Sequence, residues 1–151
     1  MESLDRRIVT LLAQDSSASI SELAAQLDVP TSTLHQRIKK LESRGVIAGY
    51  RAIVDQRAAG LTLHALVSLT PIDPSRPAAV AAPLAPIAEV ESCWSVAGTE
   101  SYIVKVAVAE PGELEALLGR IRAVANVSTR TSVILSTPFE GRQAAIPEEG
   151  N

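Results

Sequence analysis

The sequence predicts an α+β chain in two parts, an N-terminal winged helix-turn-helix followed by a ferredoxin-like βαββαβ domain. Three observations carry that prediction. Three amphipathic helical stripes crowd into the first 45 or so residues. A capping-box pattern, Ser19 with Glu22 three residues on, opens the middle stripe, and Asp28-Val29-Pro30 turns it into the third. From Leu61 onward, strand-like alternation and two helical patterns follow in the order β-α-β-β-α-β, the plan of a four-stranded antiparallel sheet.

Leu4, Ile8, Leu11 and Leu12 recur at helical spacing and predict a first helix over 2–14, ended by Asp15-Ser16-Ser17. Leu23, Ala24 and Leu27 form the buried face of the second helix. The third begins near Thr31 and aligns Leu34, Ile38 and Leu41 on one stripe. Proline carries no capping oxygen, so Thr31 or Ser32 is the expected N-cap. Gly45 is the expected C′ residue. Val46-Ile47 and residues 50–54 are short β candidates, a wing or a hinge strand, and 55–60 reads as a linker.

Leu63, Ala65, Val67 and Leu69 alternate with polar or small residues, which predicts a half-buried strand. A loop over 71–77 leads to a helix over 78–86 through Ala79, Val80 and Leu84, shortened by Pro83 and Pro86. Strands are expected at 90–97 and 102–109. Pro111 opens a helix with Leu114, Leu117, Leu118 and Ile121 inward, and 129–136 is the closing strand. The expected organisation is a head over 1–52, a hinge over 53–60, a second domain over 61–138 and a tail over 139–151 that contains Pro147 and Glu148-Glu149.

With 46% apolar but only 3% aromatic residues, the core must be built from Val, Ile, Leu and Ala. The single cysteine, Cys93, excludes an internal disulfide framework. Cys93, His64 and the acids show no ligand spacing, so neither a metal nor another cofactor is expected. The absence of a charged-then-apolar leader or a long apolar run predicts a cytoplasmic chain with no membrane partner.

The net charge of −3 hides an asymmetry. Residues 1–52 carry seven basic and six acidic side chains, and 53–151 carry seven and eleven. Within 31–51, five basic residues face Glu42 alone, a local footprint of the kind that phosphate binding needs. Opposite the apolar stripe of the third helix lie Ser32, Gln36, Lys39, Lys40 and Ser43, flanked by Thr33, His35, Arg37 and Arg44. A basic helix after a tight turn suits the DNA major groove. Ser32, Thr33 and Gln36 are candidates for base edges, Gln36 for a bidentate adenine contact, and Arg37, Lys39 and Lys40 for phosphates. Thr31, His35 and Arg44 complete the candidate DNA-binding set. A merely solvated helix face is the plain alternative. The expected partner is double-stranded DNA. One small head makes too little contact for useful specificity, which calls for a two-fold dimer on two half-sites.

Particular segments carry a family resemblance. They are Leu4-Asp5-Arg6-Arg7-Ile8, Ile20-Ser21-Glu22-Leu23-Ala24, and residues 34–47 through Gly49-Tyr50. In the second half they are Val96-Ala97-Gly98 with Tyr102-Ile103-Val104-Lys105-Val106, and Thr129-Arg130-Thr131-Ser132-Val133-Ile134-Leu135. Across nearly its whole length the chain resembles the Lrp/AsnC, or feast/famine, transcriptional regulators. The alanine-rich composition and Glu91-Ser92-Cys93 are similar to actinobacterial members.

The resemblance implies a ligand-sensing second domain, a homodimer assembling to an octamer, and an amino acid effector held between second domains that modulates DNA binding. The matching effector positions are Gly98, Thr99, Glu100, Ser101 and Tyr102 in the turn, with Thr129, Thr131 and Ser132 on the last strand. Gly98 would permit close backbone approach, and Glu100 would take an α-ammonium group. The plain alternative is a hairpin-turn glycine and ordinary strand threonines. Two positions depart from the family pattern. Pro30-Thr31 replaces its usual Ser-Pro, and Gly98-Thr99-Glu100-Ser101 replaces its common Gly-Asp-Tyr-Asp, so ligand preference does not transfer.

Two other functions share this plan. One is an architectural DNA-packaging protein with little sequence preference, which a steep salt dependence with a small specificity ratio would mark. The other is the haem-pathway decarboxylases, which rely on basic and histidine side chains in an inter-domain pocket. Here only His35, on the third helix, and His64, in a strand, are available, and no catalytic constellation or phosphate loop is apparent. The sequence therefore predicts a regulator and not an enzyme.

Overall fold

The computed structural model describes residues 2–75 and 80–142. They form two compact units. One holds the described residues up to Ile53 and those from Phe139 on, and the other spans Val54–Pro138.

The first unit is built from α1 (Ser3–Gln14), α2 (Ile20–Leu27) and α3 (Thr31–Ser43). Ile8, Leu23, Leu27, Leu34, Ile38 and Leu41 form its core, as their helical spacing requires. The capping box is complete. The Ser19 hydroxyl accepts from the Glu22 amide at 3.2 Å, and the Glu22 carboxylate accepts from the Ser19 amide at 2.8 Å. Asp28 ends α2 in a left-handed conformation (φ 55°), with its amide on the Ala25 carbonyl and the Val29 amide on that of Ala24.

The start of α3 corrects the expected cap. Pro30, and not Thr31 or Ser32, occupies the N-cap position, and its carbonyl accepts from the Leu34 amide at 3.0 Å. An N-cap needs extended backbone and a free carbonyl, and proline supplies both without a side-chain oxygen. Gly45 closes α3 with φ +70°. Its amide meets the Glu42 carbonyl and the Val46 amide meets that of Leu41, each at 2.9 Å, the paired bonds of a Schellman motif.

The expected strands at Val46-Ile47 and 50–54 do not form; no strand is found among residues 44–62. A strand needs a partner for its backbone groups, and no described segment pairs with this one. Tyr50, Ile53 and Val54 are exposed, Ile53 almost fully at 97%. Residues 55–60 wind into a turn. The Asp55 carboxylate accepts from the Ala58 amide at 3.1 Å, and the Leu61 amide reaches the Gln56 carbonyl at 2.8 Å.

The second unit is a four-stranded antiparallel sheet in the order β2-β3-β1-β4. The strands are β1 (Leu63–Pro71), β2 (Val90–Ser95), β3 (Tyr102–Val108) and β4 (Val127–Val133). Two helices, α4 (Ala81–Leu84) and α5 (Pro111–Ala125), complete it. The helix expected over 78–86 is a single turn, with Val80 and Leu84 buried, and Ala79 lies outside the described residues. On α5, Leu114, Leu117 and Ile121 are buried as expected, whereas Leu118 is half-buried and Ala125 takes a core place. The closing strand begins and ends earlier than the expected 129–136. Asn126, left-handed at φ 51°, stops α5 and lets β4 start at once, and pairing of β4 with β1 ends at Ala65 and Val133.

Ala65, Val67 and Leu69 of β1 join Val104, Val106 and the α5 residues in one core. Strand alternation therefore turns Leu66, Ser68 and Thr70 to the other face, together with their register partners Ile103, Lys105, Ser128, Arg130 and Ser132. Trp94 of β2, opposite Ile103, lies on the same face and is 47% exposed.

Candidate DNA-reading helix and effector crevice

α3 presents Thr31, Ser32, His35, Gln36, Lys39, Lys40 and Arg44 to solvent, while Thr33 is half-buried. Arg37 is placed differently. Its guanidinium donates to Asp5 at 2.8 Å and to Glu2 at 2.7 Å, joining α3 to α1. Asp5 is the one buried charged residue among the described residues. Hydrogen bonding to Asp5 first, and then to Glu2, raises the Arg37 pKa above its ordinary value. The Arg37 cation therefore neutralises a carboxylate that burial would otherwise penalise. Sequence reading missed Asp5, although its spacing of three from Ile8 places it on the inward face of α1. It also missed Tyr50, whose hydroxyl donates to Glu42 on the last turn of α3 at 2.9 Å.

In the second unit, a crevice of about 130 Å³ opens at the end of the sheet where the β2–β3 turn meets β1 and β4. Of the expected effector residues it brings together Thr99, Glu100 and Thr129. Ser68, Thr70, Ser128 and Arg130 line it as well, and none of these was anticipated. Gly98, Ser101, Tyr102, Thr131 and Ser132 are not in its lining. The Ser101 amide is spent on the Leu69 carbonyl at 3.1 Å, and Tyr102 packs against the core. Alternation along β4 separates Thr129 and Thr131 from Ser132, which faces the opposite way. The Thr129 hydroxyl accepts from Arg122 of α5 at 3.1 Å.

Glu100 is the electrostatic centre of the crevice. Its own backbone amide holds its carboxyl below the usual carboxylate range, with the Arg130 cation and the Ser68 hydroxyl acting in the same direction. The Arg130 guanidinium donates to Glu100. The signal that could have found Arg130 is its parity with Ser128 and Ser132, two residues away on either side.

Gly98 does not adopt positive φ, and a Cβ built there would meet only the Glu100 carboxylate at 3.9 Å, an ordinary contact. Nothing in this chain's own fold demands glycine at 98. Gly98→Ala is therefore expected to leave the thermal unfolding of the protein within about 0.5 kcal/mol of wild type, as for ordinary surface changes. A larger loss in a melting experiment would show that the turn is tighter than this geometry.

No described group of His, Cys, Asp and Glu residues could hold a metal ion. His64 Nε2 lies 3.0 Å from the Leu61 carbonyl, a structural contact, and His35 stands on the exposed face of α3. No described helix is long and apolar enough to cross a membrane.

A helix-turn-helix head in one chain with an α+β domain is the architecture expected of a DNA-binding transcriptional regulator. Residues 62–144 match the Lrp/AsnC ligand binding domain, and residues 1–48 match a winged helix-turn-helix DNA-binding domain. The chain belongs to the Lrp/AsnC family of transcriptional regulators. It is 48% identical over 143 residues to the HTH-type transcriptional regulator LrpA of Mycobacterium tuberculosis, an actinobacterial relative, covering 95% of each chain. It is 31% identical to the HTH-type transcriptional regulator FL11 of Pyrococcus abyssi, over 97% of each. A feast or famine regulatory protein from M. tuberculosis, solved in complex with L-methionine, superposes with a TM-score of 0.93 at 47% identity. That match covers 96% of this chain and 99% of the other. The expected fold class and family are those found.

Proposed function

We propose that this chain is a cytoplasmic, sequence-specific regulator whose hold on operator DNA is modulated by a free amino acid. The observation that carries the DNA half is the exposed face of α3, where Gln36, Lys39, Lys40 and Arg44 stand clear of the unit's core. In this reading Ser32, Thr33 and Gln36 meet base edges, and Lys39, Lys40 and Arg44 meet phosphates. Arg37 keeps α3 in place through Asp5 and contributes little to the phosphate set. The effector half is supported by the crevice around Glu100 and by the methionine complex of the relative.

A homodimer, assembling further to an octamer, fits two surfaces of the isolated chain. Residues 50–54 expose Tyr50, Ile53 and Val54 and pair with no strand among the described residues, and the sheet face that carries Trp94 and Leu66 is exposed. Regulation follows if the effector binds one assembly better than another, since it can shift DNA affinity only by that difference.

The test is a melting scan against each of the twenty amino acids, paired with light scattering. Stabilisation by a subset, with a change in particle size, is the expected result. Silence towards all twenty would remove the effector half and leave the DNA-binding half standing.

A further inference from the structure

We infer that Glu91 is a positioning residue for operator recognition, which clamps the turn over 55–61 to the sheet and so limits the half-site spacings that a dimer accepts. The inference rests on the dimeric, two-half-site reading above and adds to it a residue and a specificity.

Two steps along β2, from Val90 to Ser92, answer one step along β3, from Val106 to Lys105, so Glu91 is the extra residue of a β-bulge. A bulge re-aims a side chain. The Glu91 side chain is only 20% exposed although β2 is an edge strand, and that of Lys105 is 13% exposed. The two carboxylate oxygens serve different elements. Oε2 accepts from Lys105 Nζ of β3 at 3.1 Å, and Oε1 accepts from the side-chain amide of Gln56. Burial by itself would raise the Glu91 pKa. The bonds from Gln56 and Lys105, with the charges of Lys105 and His64, outweigh it and hold the carboxyl below its ordinary range. The clamp is charge-assisted and partly shielded from water, which makes it firmer than an exposed ion pair.

Gln56 opens a turn that is stiff in itself. The Asp55 carboxylate accepts from the Ala58 amide, the Asp55 carbonyl from that of Ala59 at 3.0 Å, the Arg57 carbonyl from that of Gly60 at 3.0 Å, and the Gln56 carbonyl from that of Leu61. The far end of the turn is tied down as well. His64 Nε2 meets the Leu61 carbonyl, and the Thr62 hydroxyl donates to the Ala109 carbonyl at 2.6 Å. On the side of the head, Tyr50 is bonded to Glu42 of α3. Between the Tyr50 and Gln56 anchors, residues 51–54 are exposed and belong to no helix or strand. The link free to bend is thus 51–54, and not the hinge over 53–60 expected from the sequence. Fully extended, a link of that length spans at most about 14 Å, little against the roughly 34 Å between half-sites one helical turn apart. The effective concentration of a tethered head at its half-site falls away once the tether cannot span the distance. Releasing Gln56 turns the whole 55–61 turn into a second joint and widens the range of spacings within reach.

The spacing between half-sites is varied one base pair at a time over a helical turn of about 10 bp, and binding of the full-length chain is read by fluorescence anisotropy. Amide exchange over 55–61 is followed in the same proteins. Wild type is compared with Gln56→Ala, with Glu91→Lys, and with Glu91→Lys combined with Lys105→Glu. In the combined variant the Gln56 amide can turn over and offer its oxygen to the ammonium group now at 91. Gln56→Ala leaves the Glu91–Lys105 pair and the core in place and should melt like wild type. It is expected to speed exchange of the Ala59, Gly60 and Leu61 amides about ten-fold or more, in keeping with loss of a hydrogen bond to a charged group. The ratio of affinities at the best and worst spacings should shrink about three-fold or more, with affinity for a single half-site unchanged. Glu91→Lys should do the same, and the combined variant should restore both readings. Unchanged exchange in Gln56→Ala would overturn the clamp, and faster exchange with an unchanged spacing preference would overturn its part in specificity. If wild type is itself indifferent to spacing, the two-half-site reading fails and the spacing role with it, while the exchange rates still decide whether the clamp exists.

Discussion

Leu34→Ala is expected to unfold the DNA-reading head while the second unit stays folded. Leu34 is fully buried, on the first turn of α3 and in one core with Ile8, Leu23, Ile38 and Leu41. Removing its isobutyl group loses burial and leaves a cavity, at a cost of about 2–5 kcal/mol. A head of this size has little to spare. At roughly 0.05–0.15 kcal/mol per residue, some fifty residues hold only about 3–8 kcal/mol. The core of the second unit shares no residue with this one, so the sheet keeps its own stability. Circular dichroism should show a new transition at lower temperature, and DNA binding should vanish. Stabilisation by amino acids should persist, because the crevice lies wholly within the second unit. A single transition moved downward as a whole would instead mean that the two units unfold together.

The elements legible in the sequence are those whose cause is local. Ser19 and Glu22 lie one turn apart and cap α2 between themselves, and Gly45 ends α3 because only the adjoining turn decides that conformation. The four-stranded antiparallel sheet followed from strand alternation and from the βαββαβ order of the elements. What stayed hidden depends on distant partners. Arg37 looked like a phosphate ligand because its acceptors, Glu2 and Asp5, lie more than thirty residues upstream. The Glu100–Arg130 pair stayed hidden because its two residues lie 30 positions apart and meet only after the sheet has folded. The effector set drawn from the sequence mixed both faces of β4, joining Thr129 and Thr131 to Ser132. A strand assignment alone supplies parity but not which parity meets the turn. Residues 50–54 have strand composition and no strand, since a β ladder is a property of two segments.

Replacing both Lys39 and Lys40 by alanine should weaken binding to operator and to random DNA alike. Both side chains are exposed on α3, and neither is part of the core of its unit. If each neutralises one phosphate, the plot of log affinity against log salt should become shallower by about 2, close to 0.9 for each phosphate no longer neutralised. Gln36→Ala should behave in the opposite way. It removes no charge, so the salt slope should hold, while removal of a bidentate hydrogen-bond pair to adenine should cost about 1–3 kcal/mol of discrimination between operator and random DNA. An operator selected from random duplexes and titrated by fluorescence anisotropy at several salt concentrations would measure both quantities. Unchanged slopes in the lysine variant would place the phosphate-binding residues elsewhere on the head. A steep wild-type slope with almost no operator preference, insensitive to Gln36→Ala, would favour the DNA-packaging alternative. The two variants therefore separate the charge that holds any DNA from the hydrogen bonds that choose one sequence, and that difference distinguishes a regulator from a packaging protein on the same fold.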